Sequence, residues 1–351
     1  MSVLNDGGSK FRVVMSGILC TVIIIYSMFE MLGGNSYYGR QALAAPNGLL
    51  QIYNEGTELD LFADSVNDAA SVSTPTTDSQ AVAASSPSNV KGKVIEKFIS
   101  PYTANTSYKN IYLKNSTDLK IDIKQLLEEP LKFNIEKGSS PCVLIMHTHA
   151  TESFLSTTRD YYTDSDKART TDNSANMVAL GDIVAAKLTS AGYGVIHDKT
   201  LHDYPSYNES YSRAAKTITG YLKKYPSIKI VIDMHRDAIS SSDTDKVKVT
   251  SQINGKKAAQ VMIVMGSQSG SVKNFPNWRE NLKLAVRLQE KLETMYPTLA
   301  RSLSLMPRNY NESLSTGSVL IETGTDANSL EEAKYSAELL ANSLCALLDG
   351  I

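Results

Sequence analysis

Cysteine is scarce: Cys20, Cys142 and Cys345 are the only three in 351 residues, too few for a disulfide framework, and none forms the C-x-x-C spacing of a cysteine zinc site or redox pair. Histidine is nearly as sparse, with five, so a bound metal has to be held by a few imidazoles together with carboxylates. Charge of either sign is not in excess: the net value of −2 gives no long-range pull on phosphate backbones and excludes nucleic acid as a partner class. What remains is ordinary globular usage, 42% hydrophobic and 21% charged, in a chain long enough for one large domain with appendages or two modest ones.

The N-terminal stretch differs from the rest. Val13 to Leu32 is an apolar run whose one charge is Glu30, preceded by Lys10 and Arg12. At 1.5 Å per residue it is long enough to span a bilayer. The nearest basic residue on the far side is Arg40, so the positive-inside bias keeps residues 1–12 in the cytoplasm and sends the remainder outward. A cleaved signal peptide is the alternative, with Ala42-Leu43-Ala44 as its small-residue site beyond the polar stretch Asn35 to Gln41. Residues 33–92 read as a tether. Half of Ser71 to Ser88 is Ser or Thr, with Pro75, Pro87 and no aromatic residue, a composition too poor in apolar area to offset ordering entropy.

From residue 93 to 351 the pattern alternates. Apolar strand candidates at Ile111–Leu113, Leu119–Ile123, Cys142–Met146, Tyr193–Ile196, Ile228–Met234 and Val319–Ile321 interleave with helix candidates. Those helices run from Ile123 to about Leu131, from Asp172 or Ser174 to about Ala191, over Glu209–Lys224 and Trp278–Met295, and from Ser329 to Leu348. Strand-helix-strand repetition implies an α/β fold, a largely parallel sheet flanked by helices. Asn254-Gly255 between two apolar runs predicts a hairpin and hence an antiparallel edge.

Three apolar strands end in polar side chains that are costly to bury without a role: His147-Thr-His149-Ala-Thr-Glu152, His235-Arg236-Asp237 and Glu322-Thr-Gly324. In an open α/β sheet, ligands bind beyond the C-terminal strand ends. His149 and Glu152, three apart, face one side if the turn is helical, and His235 completes a two-His, one-Glu set suited to catalytic zinc with one open position. Glu322 then serves as general base. Strand alternation places His147 on the same face as His149, so His147 stands beside the metal or faces substrate. Asp172 rivals Glu152 as third ligand, although its place at a helix N-cap explains it better without a metal. Arg236 or Arg213 can steady an oxyanion or a substrate carboxylate. His197 and His202 read as surface or hydrogen-bonding residues, and Tyr207 to Tyr211 as a sugar or peptide contact loop.

With these residues in hand, the chain resembles the stage II sporulation protein P family of membrane-anchored cell-wall hydrolases. The likeness is carried by VLIMHTHATESF (from Val143), RTTDNSANMVALGD (from Arg169), DYPSYNESYSRA (from Asp203), VIDMHRDA (from Val231) and GSVLIETGT (from Gly317). The resemblance implies a zinc-dependent N-acetylmuramoyl-L-alanine amidase with endopeptidase activity on peptide cross-links, acting on peptidoglycan during engulfment. It also implies a single-pass membrane location with the catalytic body outside, and the stage II sporulation proteins D and M as partners. His149-x-x-Glu152, His235 and Glu322 further resemble the zinc carboxypeptidase and amidase-3 pattern, except that amidase-3 enzymes place their ligand Glu further from the first His. A zinc peptidase acting only on wall peptides and a non-catalytic wall-binding scaffold are the competing readings. A phosphatase or nuclease fits poorly, for want of an Asp-rich site.

Overall fold

A computed structural model describes residues 42–44, 50–52 and 89–351. The expected anchor, 13–32, and most of the expected tether lie outside the described residues. Among the described residues no helix is long and apolar enough to cross a membrane. Ahead of the body, β1 (Ala42–Ala44) and β2 (Leu50–Ile52) pair antiparallel as a small separate sheet.

The body is α/β. In chain order it contains β3 (Val90–Lys97), β4 (Thr106–Tyr108), β5 (Ile111–Asn115), α1 (Ile123–Glu128), β6 (Pro141–Met146), β7 (Tyr161–Thr163), α2 (Met177–Ser190) and β8 (Gly194–His197). There follow α3 (Ser210–Lys224), β9 (Ile230–Asp237), β10 (Lys246–Ile253), β11 (Lys256–Ala259), β12 (Val261–Gly266), α4 (Trp278–Met295), β13 (Leu303–Met306), β14 (Ser318–Thr325) and α5 (Leu330–Leu348). Eight strands form the main sheet in the order β4-β5-β13-β12-β14-β9-β6-β8. The block β14-β9-β6-β8 is parallel throughout, β5-β13-β12 is parallel within itself, and the blocks meet antiparallel at β12/β14.

Alternation along β6 explains why its run of apolar residues is unbroken. Val143 and Ile145 belong to the large core with residues of α2, α4 and α5, while Leu144 and Met146 pack with Ala214 and Ile218 of α3. Helices therefore lie against both faces, and a strand buried on both sides has no place for polar residues until it ends. The amphipathic α3 buries Ala214 and Ile218, four apart, on one stripe, as a helix closing one face must.

The Asn254-Gly255 hairpin forms, with both residues at positive φ (50° and 77°) as a type I′ turn requires. It lies in a second sheet, β11-β10-β3-β7, and not at the main sheet's edge. After Gln260 the chain crosses into β12, deep in the main sheet. The strand expected at Leu119–Ile123 is absent: the Asn115 side chain accepts from Thr117 N and donates to Leu119 O, and this local turn leads into α1 with Asp122 as its cap.

Candidate active site

The C-terminal ends of β6, β9 and β14 converge, and the turn after β6 is built to present side chains. Glu152 N donates to His149 O (3.2 Å), closing one turn, so residues three apart share a side. The two threonines of the turn are pinned by buried aspartates. Thr148 donates N–H and O–H to Asp233 (2.8 and 2.6 Å), and Thr151 does the same to Asp203 (3.2 and 2.5 Å). Each pin is followed directly by a functional side chain, His149 after Thr148 and Glu152 after Thr151, and the two turn toward one another.

His149, Glu152 and His235 bring one nitrogen or carboxylate oxygen each to within 4.8 Å of one another, all three buried. The Nδ1 atoms of both imidazoles face Glu152, at 3.3 Å from Oε1 for His149 and 3.7 Å from Oε2 for His235. Their Nε2 atoms are engaged behind, His149 with Ser210 Oγ (3.1 Å) and His235 beside Asp233 Oδ1 (3.0 Å), the latter close without the alignment of a hydrogen bond. Fixing the far nitrogen of each ring is how outer groups orient metal-binding imidazoles.

The electrostatics call for a cation. Burial opposes charge on His235, yet Asp233, Glu152 and Glu322 outweigh it and pull the imidazole up to about 10. Burial also works against the Glu152 carboxylate, but the His149 bond and the Arg236 and His235 charges hold it well below the usual range. Two imidazole nitrogens and a carboxylate, converging in a pocket that favours positive charge, fit the borderline donor set of zinc.

Glu322 sits across from His235 in register between β14 and β9, so both side chains leave the same face. It is 8% exposed, its Oε2 lacks a partner, and burial raises its carboxyl to about 8. The register slips between Glu322 and Thr325, and Gly324 (φ +68°) supplies the kink: a Cβ there would lie 2.8 Å from Ala259 Cβ and 2.9 Å from Asn328 Oδ1.

The other expected residues lie around this centre. His147 is fully buried and faces away from the cluster, with Nδ1 on Met234 O (3.0 Å) and Nε2 on His197 Nε2 (2.9 Å). That pair packs over Gly181, where a Cβ would stand 2.3 Å from His197 Nε2. His197 also meets Asp182 (3.0 Å), and His202 bonds His147 O and Thr217, so both are hydrogen-bonding residues rather than surface ones. Arg236 directs its guanidinium to the carbonyls of Ser153, Asp237 and Ala168, while its backbone N–H donates to Glu152 Oε2 (3.1 Å). Arg213 holds the carbonyls of His202 and Ser206. Asp172 is exposed and forms a local turn with Ser174, outside the cluster; Asn176 is the cap of α2.

Several neighbours of the cluster were not singled out for these roles in the sequence. Arg169 donates to Asp203 (2.6 Å), approaches Glu152 Oε1 (3.6 Å) and lies 4.6 Å over the Tyr207 ring, whose other neighbour is the His149 ring at 4.6 Å. Tyr211 stacks near His235 (6.5 Å), and burial keeps its phenol protonated, well above the usual range. One signal was available for Asp233: it is the single charge inside the otherwise apolar run Ile228-Lys-Ile-Val-Ile-Asp-Met234 after Lys229. Another is the tetrapeptide Tyr-Asn-Glu-Ser, which occurs at 207–210 and again at 310–313. The second copy reaches the residue that follows the first, Asn311 Nδ2 donating to Tyr211 O (2.8 Å).

An α/β body with a buried His-Glu-His cluster and a fourth, isolated carboxyl at the strand ends defines a candidate metallohydrolase by its donors and geometry. The family described as Stage II sporulation protein P (SpoIIP) matches residues 48–345, and the chain belongs to that family. A curated relative, Stage II sporulation protein P of Bacillus subtilis (strain 168), is 33% identical over 218 residues, covering 58% of this chain and 50% of the relative. The match thus spans half the relative's length. Among solved structures, the CwlD amidase of Clostridioides difficile in complex with the GerS lipoprotein is similar at 14% identity and a TM-score of 0.38, over 60% of this chain and 97% of that one. The catalytic domain of CwlV, an N-acetylmuramoyl-L-alanine amidase from Bacillus (Paenibacillus) polymyxa var. colistinus, is similar at 12% identity and a TM-score of 0.36, over 60% and 98%.

Proposed function

We propose that the chain is a zinc-dependent peptidoglycan hydrolase of sporulation, an N-acetylmuramoyl-L-alanine amidase that also cleaves peptide cross-links. In this reading residues 13–32 anchor it in the membrane, residues 93–351 act outside during engulfment, and the stage II proteins D and M are its partners. The observation that carries the hydrolase is the convergence of His149, Glu152 and His235 beside the unpartnered Glu322.

His149, Glu152 and His235 would hold the ion, with Ser210 and Asp233 setting the two rings. Zinc bound there supplies Lewis acidity and makes a water easier to deprotonate. Glu322 accepts that proton on a carboxylate oxygen as the water oxygen bonds to the amide carbon, and returns it to the departing nitrogen as the C–N bond breaks. A carboxyl raised to about 8 lies close enough to neutrality to do both. Tyr211, kept protonated, is available as a hydrogen-bond donor at the same rim.

Glu322→Gln keeps the shape and removes the base. The purified variant should bind zinc as the parent does and lose roughly 10²–10⁴-fold in kcat on wall fragments, read by muropeptide analysis. Full turnover in that variant overturns the assignment. Unaltered wall fragments and no stoichiometric zinc in the parent would instead favour a wall-binding scaffold.

A further inference from the structure

Tyr204 holds its side chain out at 59% exposure, the most of any large apolar or aromatic residue among those described. Tyr102 follows at 58%, but its ring packs edge-on against Tyr112 (centroids 5.0 Å). Among the described residues no ring, cation or hydrogen-bonding group engages the Tyr204 side chain. Its backbone is the opposite. His202 is buried, its two ring nitrogens meeting His147 O and Thr217 Oγ1 (2.9 Å each). Asp203 is buried too and accepts from Thr151 N and Oγ1 (3.2 and 2.5 Å). Tyr204 N–H donates to Leu201 O (3.2 Å), and the Arg213 guanidinium holds the carbonyls of His202 and Ser206. A ring rooted on backbone tied in this way has only its own side-chain torsions left to lose when something covers it, so covering it costs little entropy.

The place of the ring narrows what that something is. Asp203, directly before it, braces Thr151, and Thr151 directly precedes candidate ligand Glu152, so Tyr204 stands at the rim from which the ligand turn is held. The amide cut in the reading above joins a sugar's lactyl group to a peptide, so the ring can serve either side of that bond. Wall peptides carry free carboxylates and amines, which are recognised by opposite charge. The surroundings of Tyr204 offer little of it: Pro205 and Ser206 beside it are exposed and uncharged, and the Asp203 carboxylate is buried on Thr151 and Arg169. A pyranose has a face of C–H bonds and a rim of hydroxyls. A tyrosine, flat and apolar over its ring with a polar tip, matches it part for part.

Resting on the wall-hydrolase reading above, we propose that Tyr204 is a glycan subsite: its exposed ring stacks on the face of a sugar in the glycan strand, while the braced backbone from His202 to Ser206 keeps that ring in place. The enzyme then grips its substrate by the sugar chain as well as by the peptide, and binds strands more tightly than peptides freed from them.

Binding of two probes to the full chain, without turnover, decides between the sides: a tetrasaccharide of alternating N-acetylglucosamine and N-acetylmuramic acid, and a free stem tetrapeptide. Tyr204→Ala should weaken the tetrasaccharide by about three- to tenfold in Kd and leave the peptide as it was, read by calorimetry. Tyr204→Phe keeps the face and should bind as the parent does. Tyr204→Leu keeps apolar bulk without the flat face and should bind as weakly as the alanine variant. On intact wall strands the loss in the alanine variant should fall on KM. Equal tetrasaccharide affinity in the parent and the alanine variant overturns the proposal, as does a parent that does not bind the tetrasaccharide. Weakening confined to the peptide assigns the ring to the other side of the bond and overturns it as well, and a leucine variant that binds like the parent removes the stacking. If wall fragments come through unaltered while the tetrasaccharide series behaves as expected, the amidase reading fails and the glycan subsite stands.

Discussion

The main sheet has two blocks of parallel strands running in opposite directions, and they carry different burdens. In the block β14-β9-β6-β8, four of the five histidines of the chain lie within three residues of a C-terminal strand end, and the fifth, His202, is in the loop after β8. In the block β5-β13-β12 there is none, and its strands bury Ile111, Leu113, Leu303, Leu305, Ile263 and Met265 in the large core. Each block has strands buried along their whole length, β9 and β14 in one and β12 in the other, so burial does not separate them. Turns pinned by side chains close strands in both blocks, and the difference is that those of the first block present imidazoles and carboxylates toward one another, which is what a preorganised site requires.

That contrast breaks most sharply if stability and chemistry are disturbed separately. Leu303, fully buried in the histidine-free block, should cost about 2–5 kcal/mol of stability as Leu303→Ala, read as a lower midpoint in denaturant. Well below its melting transition, the same variant should bind zinc as the parent does. Zinc affinity falling in step with stability would show that the two blocks form one mechanical unit and that the division drawn here is false.

A smaller effect sharpens the chemical side. Asp233 lies behind His235, 3.0 Å from Nε2, and accepts two hydrogen bonds from Thr148. Burial works against its carboxylate, but the His235 charge and these bonds hold it below the usual range. Asp233→Asn keeps the size and removes the charge that orients the ring. Zinc affinity, measured by competition with a chelator, should fall roughly 10–100-fold, and the denaturant midpoint of the metal-free protein should fall as well, because the charge opposite His235 is lost. An affinity equal to the parent's would mean that His235 is held by packing alone.

How much of this was legible in the sequence follows from the same physics. The apolar runs at Cys142–Met146, Ile228–Met234 and Val319–Ile321 were readable because a strand covered on both faces tolerates little else, and the polar groups that follow them stood out for that reason. Trp278–Met295 was readable by its period. The short β13 and, in the second sheet, β3 and β7 were not, because strands of three to eight residues that are short or of mixed exposure leave no periodic signature. Residues that serve by holding others were hidden most deeply. Ser210 reaches His149 from 61 residues away and Asp203 meets Arg169 across 34, and only folding reveals whom they touch. His147 illustrates the opposite error of resolution: alternation put it on the face of His149, but the strand ends at Met146 and the turn sends the two rings different ways.

The smallest expected effect concerns two buried carboxyls, one in each region. Glu322 belongs to the site, whereas Glu293 lies on α4 against the other block, with Oε2 accepting weakly from Thr298 N (3.4 Å) and Oε1 unpartnered. Burial raises Glu293 from 4.5 to about 7 in the folded chain. Below pH 4.5 the group is protonated whether the chain is folded or not, and it makes its full contribution. As pH rises from there through about 7, the unfolded chain releases the proton first, so stability is lost over that interval and levels off above it. Glu293→Gln has no proton to lose. Its melting temperature should match the parent's in acid and exceed it by about 2–4 °C in alkali, measured by calorimetry at both ends of the range. A gap of constant size across pH would show that the substitution acts through packing and that the Glu293 carboxyl does not couple folding to pH.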